Sequence, residues 1–168
     1  IITLISPLII LYRISIGKED YKRFKERFCI YKRANTEKDL IWLHAASVGE
    51  SLSLLPLIEK IIADDPNINI LITSTTKTTA EILEKISVPQ IIHRMAPYDT
   101  FFVSKRFLKY WEPDLAVRVE SEIWPRILLE LKKNKIPNFL LNARFSKKST
   151  MRIEKQADTA SFLFSLFD

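Results

Sequence analysis

Leu40-Ile41-Trp42-Leu43-His44-Ala45-Ala46-Ser47-Val48-Gly49-Glu50 runs from a short apolar stretch into the start of an amphipathic helix whose apolar positions are Leu52, Leu55, Ile58, Ile61 and Ile62. A strand followed at once by a helix is half of a parallel-sheet unit, and the pattern repeats outward from it. Branched apolar runs return at 68–73, 90–93, 115–119 and 138–141, after the first at 40–44. Helical patterns lie between them: Ile82, Leu83 and Ile86; Val103, Phe107 and Leu108; Ile127, Leu128 and Leu131. Pro66, Pro113 and Pro137 precede strands and Pro125 opens a helix, positions where a missing N–H is tolerated. Near-continuous apolar strands alternating with helices predict an α/β, Rossmann-like parallel sheet of about five strands with helices on both faces. Ligands of such sheets gather beyond the carboxyl ends of the strands. Those loops here, 44–50, 73–78, 96–99, 120–124 and 142–148, are rich in groups that bind or react.

With 168 residues, 47% of them hydrophobic, the chain has enough apolar surface for one sizeable core. A formal charge of +6 points to an anionic partner. The basic residues are scattered and no zinc-finger or aromatic-basic RNA signature is present, so nucleic acid is not the expected partner. The single cysteine, Cys29, excludes an intrachain disulfide. Residues 1–17 begin with an apolar run, Ile1 to Leu11, read as the inner end of a membrane anchor, with a buried helix or signal-like segment as the alternative. Residues 18–38 read as a basic amphipathic helix with Tyr21, Phe24 and Phe28 on one face, then a loop through Lys32 and Arg33. The Rossmann-like domain is expected over 39–150 and a terminal helix over 151–168.

Glu50 has two readings. Ser47-x-x-Glu50 before an apolar run is a capping box; a carboxylate at a strand tip beside Gly49, where a ligand has room to approach, is also a candidate general base. Glutamine serves a capping box as well, so Glu50→Gln separates the two. Glu120 and Glu122 flank Ser121 at the end of the fourth strand; Glu120 is expected to face the cleft and Glu122 to serve the helix that starts at Pro125. The turn from Thr73 to Thr79 offers Thr75 and Lys77 to a phosphate or sugar, or is a threonine-rich helix cap. Tyr98 is expected to line the cleft and Asp99 to cap the third helix. Arg144, with Lys147 and Lys148 nearby, is a candidate anion clamp. There is no GxGxxG or GxxxxGK[ST] motif and no Gly-x-Ser-x-Gly elbow, and His44 and His93 lack metal-ligand spacing, so no cofactor or metal is expected.

Five segments, Trp42 to Glu50, the Thr-rich turn from Thr73, Ala96 to Asp99, Val119 to Pro125 and Asn142 to Ser149, together with Gly17-Lys18-Glu19 and Glu26-Arg27-Phe28, give the chain a close resemblance to the 3-deoxy-D-manno-octulosonic acid (Kdo) transferases. The resemblance implies the N-terminal, acceptor-side half of a two-domain GT-B glycosyltransferase, preceded by a membrane anchor and working at the cytoplasmic face of the inner membrane of a Gram-negative bacterium. It implies transfer of Kdo from CMP-Kdo, held mainly by a C-terminal domain, to the anionic lipid A precursor, by inverting displacement without a metal. On the same resemblance Glu50 is the catalytic base, Glu120 lies in the cleft and Arg144 contacts acceptor phosphate or donor carboxylate; Ser47, Gly49, Thr75, Lys77 and Tyr98 are the further candidates to line that acceptor cleft. A non-catalytic, membrane-associated lipid-binding remnant is the rival expectation. Departures from the family pattern fall at Cys29 and Thr79, where glycine is usual, at Arg126, where asparagine is usual, and at Arg118, a charge inside an apolar strand.

Overall fold

A computed structural model describes residues 12–17, 19–31, 39–86 and 88–168. The expected anchor run Ile1 to Leu11 and the loop residues Lys32 and Arg33 lie outside them. Among the described residues, no helix is long and apolar enough to cross a membrane.

Five strands form one sheet: β1 (Leu40–Ala45), β2 (Asn69–Ser74), β3 (Ile91–Met95), β4 (Leu115–Val119) and β5 (Asn138–Leu141). All neighbouring pairs are parallel and the order is β3-β2-β1-β4-β5. The chain moves outward one way from β1 to β3, then crosses back to lay β4 against the other side of β1. The carboxyl ends of β1 and β4 therefore flank the topological switch point, where the loops diverge and leave a crevice.

Alternation along β1 sends successive side chains to opposite faces. Leu40 and Trp42, with Leu71 and Ala116, meet Val103, Phe107 and Trp111 of α4 (Phe101–Trp111) and Ile127 and Leu131 of α5 (Pro125–Lys133). Ile41, Leu43 and Ala45, with Ile70, Ile72, Val117 and Val119, meet Leu54, Ile58 and Leu83 on the other face. That second face is covered by α2 (Leu55–Asp64) and α3 (Lys77–Leu83), preceded by the short α1 (Val48–Ser53). The expected single helix after β1 is thus two, jointed at Leu54 with Pro56 in the first turn of the second, and Leu52 is exposed rather than buried.

Three other elements differ from expectation. Residues 18–38 carry a five-residue 3₁₀ helix, Phe24–Phe28, and no longer amphipathic helix among the described residues, with Tyr21 exposed. Cys29 ends it in the left-handed region at φ 56° and gives its N–H to the Glu26 carbonyl. That geometry explains why glycine is the usual residue there, since a Cβ disfavours left-handed backbone. The terminal segment is two helices, α6 (Lys147–Lys155) and α7 (Ala157–Phe164), broken at Gln156 (φ −126°, ψ 45°). Arg118 lies wholly buried in β4, which is not an edge strand; its guanidinium packs on Trp42 and Phe167 and donates to Asn138 Oδ1 at 3.2 Å.

Candidate active site at the carboxyl edge of the sheet

Leaving β1, the chain extends through Ser47 (φ −117°, ψ 167°) and enters α1. The Ser47 hydroxyl accepts the Glu50 N–H at 3.3 Å and donates to Glu50 Oε1 at 2.7 Å, while Glu50 Oε2 accepts the Ala46 N–H at 2.8 Å. Both readings of Glu50 meet in this turn. The residue closes a capping box, shifted so that the carboxylate takes the N–H one residue before the cap, and the box fixes the carboxylate at the switch point. A carboxylate offers about four acceptor positions. Two are used internally, so the half-buried Glu50 can still accept a proton from a ligand hydroxyl.

Gly49 is an ordinary helical residue without positive φ, and a Cβ there would meet nothing within 4 Å. The turn itself does not require glycine, and the room expected for a ligand is open space beside Glu50. Thr75 joins the same corner, its hydroxyl donating to the Ala46 carbonyl at 2.7 Å. The Thr75 carbonyl and the Ala96 carbonyl both accept from Arg27, whose guanidinium is paired with Glu19 at 3.0 Å. Arg27 therefore ties the segment before the sheet to the tips of β2 and β3. Beside it, Arg13, Arg27, Thr75, Tyr98, Asp99 and Trp124 line a cavity of about 320 Å³. The Tyr98 hydroxyl is buried with no partner among the described residues, and burial raises its pKa.

At the end of β4, Glu120 takes a left-handed conformation (φ 61°) and donates its N–H to the Leu141 carbonyl at 2.9 Å. A non-glycine residue held there stores backbone strain of the kind found at functional turns. Glu122 is the carboxylate with defined partners: its Oε2 accepts from Trp124 Nε1 at 2.9 Å and lies 3.2 Å from His44 Nε2. Burial alone would raise the Glu122 pKa, but the hydrogen bonds from His44 and Trp124, with the Arg118 charge nearby, outweigh it and hold the group below the ordinary carboxylate range. Burial lowers the His44 pKa; Glu122 draws it back only in part, and Arg118 opposes that. His44 is thus neutral and Glu122 ionised. Sequence reasoning missed His44, whose only signal was its place at the end of β1.

Two predicted residues stand apart from this cluster. Lys77 is exposed and paired with Glu81 at 3.7 Å along its own helix. Arg144 is exposed in the loop after the edge strand β5. Asp99 caps a helix, but not α4: its carboxylate accepts the N–H groups of Arg126 (3.1 Å) and Ile127 (2.8 Å) at the start of α5. The helix next to it begins at Thr100 without a side-chain cap. Thr79 is buried, and its N–H and hydroxyl both meet Thr76 Oγ1, so the side chain that replaces the usual glycine is absorbed into the α3 cap.

A parallel sheet of order 3-2-1-4-5 with helices on both faces defines a Rossmann-like α/β domain. Residues 22–168 match the family model described as 3-Deoxy-D-manno-octulosonic-acid transferase (kdotransferase), and the chain belongs to that family. It is 44% identical over 143 residues to the 3-deoxy-D-manno-octulosonic acid transferase of Rickettsia bellii, covering 84% of this chain and 34% of that protein. It is 35% identical over 151 residues to a probable mitochondrial enzyme of the same name from Arabidopsis thaliana (88% and 34%) and 32% identical over 154 residues to that of Haemophilus influenzae (89% and 36%). The chain spans about a third of the length of these curated relatives.

Proposed function

We propose that this chain is the acceptor-side half of a glycosyltransferase that moves Kdo from CMP-Kdo to the lipid A precursor, inverting the sugar and using no metal. The observation that carries the reading is the Ser47–Glu50 turn, which holds a carboxylate just beyond the carboxyl end of β1, the strand that borders the switch point. In this reading Glu50 takes the proton of the acceptor hydroxyl as that oxygen attacks the Kdo anomeric carbon and CMP departs. Ser47, Gly49, Thr75, Tyr98 and Glu120 shape the acceptor cleft, the orphan Tyr98 hydroxyl supplying it with a hydrogen-bonding group. Lys77 and Arg144 act further out, on acceptor phosphates or the donor carboxylate. The donor nucleotide is held by a further domain, and the net charge of +6 suits a phosphorylated glycolipid at an anionic inner-membrane face.

The test supplies CMP-Kdo and lipid A precursor to this chain, alone and together with the carboxyl-terminal two thirds of the Rickettsia bellii relative. Glycolipid product with both halves is the expected result. Glu50→Gln should then lose about 10²- to 10⁴-fold in rate, the range of a lost general base, with stability changed by less than about 1 kcal/mol. Acceptor binding without product would favour the lipid-binding module. No binding at all would overturn the reading.

A further inference from the structure

At the carboxyl edge five side chains form one hydrogen-bonded line along one face of the sheet. Trp42 Nε1 donates to Thr73 Oγ1 at 2.8 Å, Thr73 Oγ1 lies 2.9 Å from His44 Nδ1, and His44 Nε2 lies 3.2 Å from Glu122 Oε2, which also accepts from Trp124 Nε1. The two indoles only donate, so they set the direction of the line from both ends. Thr73 already accepts from Trp42, and its one O–H proton is free to go to His44 Nδ1. His44 then carries its proton on Nε2 and gives it to the carboxylate.

The other protonation states are disfavoured by what surrounds the ring. A proton on Nδ1 would turn the Nε2 lone pair against an ionised oxygen 3.2 Å away. A doubly protonated ring would be a cation with no solvent exposure, sharing its surroundings with the equally buried Arg118. Glu122 and Glu50 are the negative charges that act on His44. Trp124 also packs over the ring, centroids 4.2 Å apart, which fixes its plane.

Both donors meet Oε2, and Oε1 has no partner among the described residues, while the Glu122 side chain keeps 21% of its exposure and the His44 side chain none. We propose that His44 is a positioning residue: locked by Trp42 and Thr73 as the Nε2–H tautomer, it tethers Glu122 by one oxygen at the switch point and leaves the other to accept a hydrogen bond from an acceptor-sugar hydroxyl. This rests on the glycosyltransferase reading for the ligand and on the geometry alone for the tautomer. It makes Glu122, beside Glu120, a carboxylate of the cleft.

Histidine-selective ¹⁵N NMR of the intact chain reads the tautomer directly, and with only two histidines the signals are assigned by the one lost in His44→Gln. The expected spectrum shows a protonated Nε2 and a bare Nδ1 for His44, unchanged from pH 8 to about 5.5. A proton on Nδ1, or an ordinary histidine titration, overturns the proposal. The ¹³C carboxyl titration of Glu122 provides the second readout. Thr73→Ser keeps the hydroxyl and should leave that titration as in the wild type, whereas Thr73→Val removes the donor to Nδ1 and should raise it by about one unit. An unchanged Glu122 titration in folded Thr73→Val overturns the tether. Failure of the two-half enzyme to make product while both NMR results hold counts against the glycosyltransferase reading and leaves the tether in place.

Discussion

Arg118 bears the most isolated charge in the core. Its Nε and Nη2 have no partner among the described residues, and burial lowers its pKa to about 10 against the pull of Asp99 and Glu122. It is still a cation at neutral pH, resting on two rings and one amide oxygen. Replacing a buried charge by an apolar side chain of similar volume is commonly neutral or stabilising. Arg118→Met should therefore leave the urea midpoint unchanged or raise stability by up to about 2 kcal/mol, and a loss of more than about 2 kcal/mol would show the guanidinium to be well solvated internally. The charge has a use at the crevice, where it lowers the pKa of both His44 and Glu122. The histidines set the acid limit. His44 is lowered by burial, and His93, bonded to Ser74 through Nε2, is lowered to about 3 by burial and then by Arg23, Arg94 and Arg27. A histidine with a depressed folded pKa binds its proton more readily when unfolded, so stability falls as pH drops below the unfolded value near 6.5. Between pH 7 and 5 His93 alone costs about 2 kcal/mol and His44 adds in the same direction, so a denaturation series should show the decline beginning well above the carboxylate range. His93→Gln should remove the His93 share, about 2 kcal/mol of the decline.

Among the elements, the strands and their order of burial were legible because two-sided burial leaves apolar runs bounded by proline: the expected 115–119 and 138–141 are β4 and β5 as found, and the other three shift by a residue or two. The Ser47–Glu50 turn was legible because a capping box is local. Asp99 was not, because its cap reaches backbone donors 27 and 28 residues further along and only the packing of α4 against α5 brings the two together. The His44–Glu122 contact spans 78 residues and was hidden for the same reason. The 3₁₀ helix and the break at Gln156 arise from conformations that the apolar spacing does not encode. Asp99 satisfies two orphan donors of α5, whose first residue, Pro125, has none to offer. Asp99→Ala should cost about 1 to 2 kcal/mol by chemical denaturation. Asp99→Asn, able to cap through its amide oxygen, should recover at least half; equal losses in both variants would mean that charge, not capping, is what α5 needs.

Across the whole molecule, residues 166–168 come back to the edge strand of the sheet. Asp168 donates its N–H to the Asn138 carbonyl at 3.0 Å and accepts the Asn138 N–H on Oδ2 at 3.0 Å, so it pairs with the first residue of the edge strand. The Asn138 amide donates to the Leu166 carbonyl at 2.8 Å, Leu166 is buried, and the Phe167 ring lies over Arg118. Asn138 in turn holds the Arg118 guanidinium, which acts on Glu122 at the crevice. Residues 166–168 thus stand at one end of a contact series whose other end is the candidate site. Truncation after Ser165 should remove the apolar cover and leave Asn138 with buried groups unmet, at a cost of about 2 to 4 kcal/mol. Hydrogen exchange should show the loss concentrated in β5 and β4, with β2 and β3 protected as before. Uniform loss across all five strands would instead mean that the tail supports the sheet as a single cooperative unit.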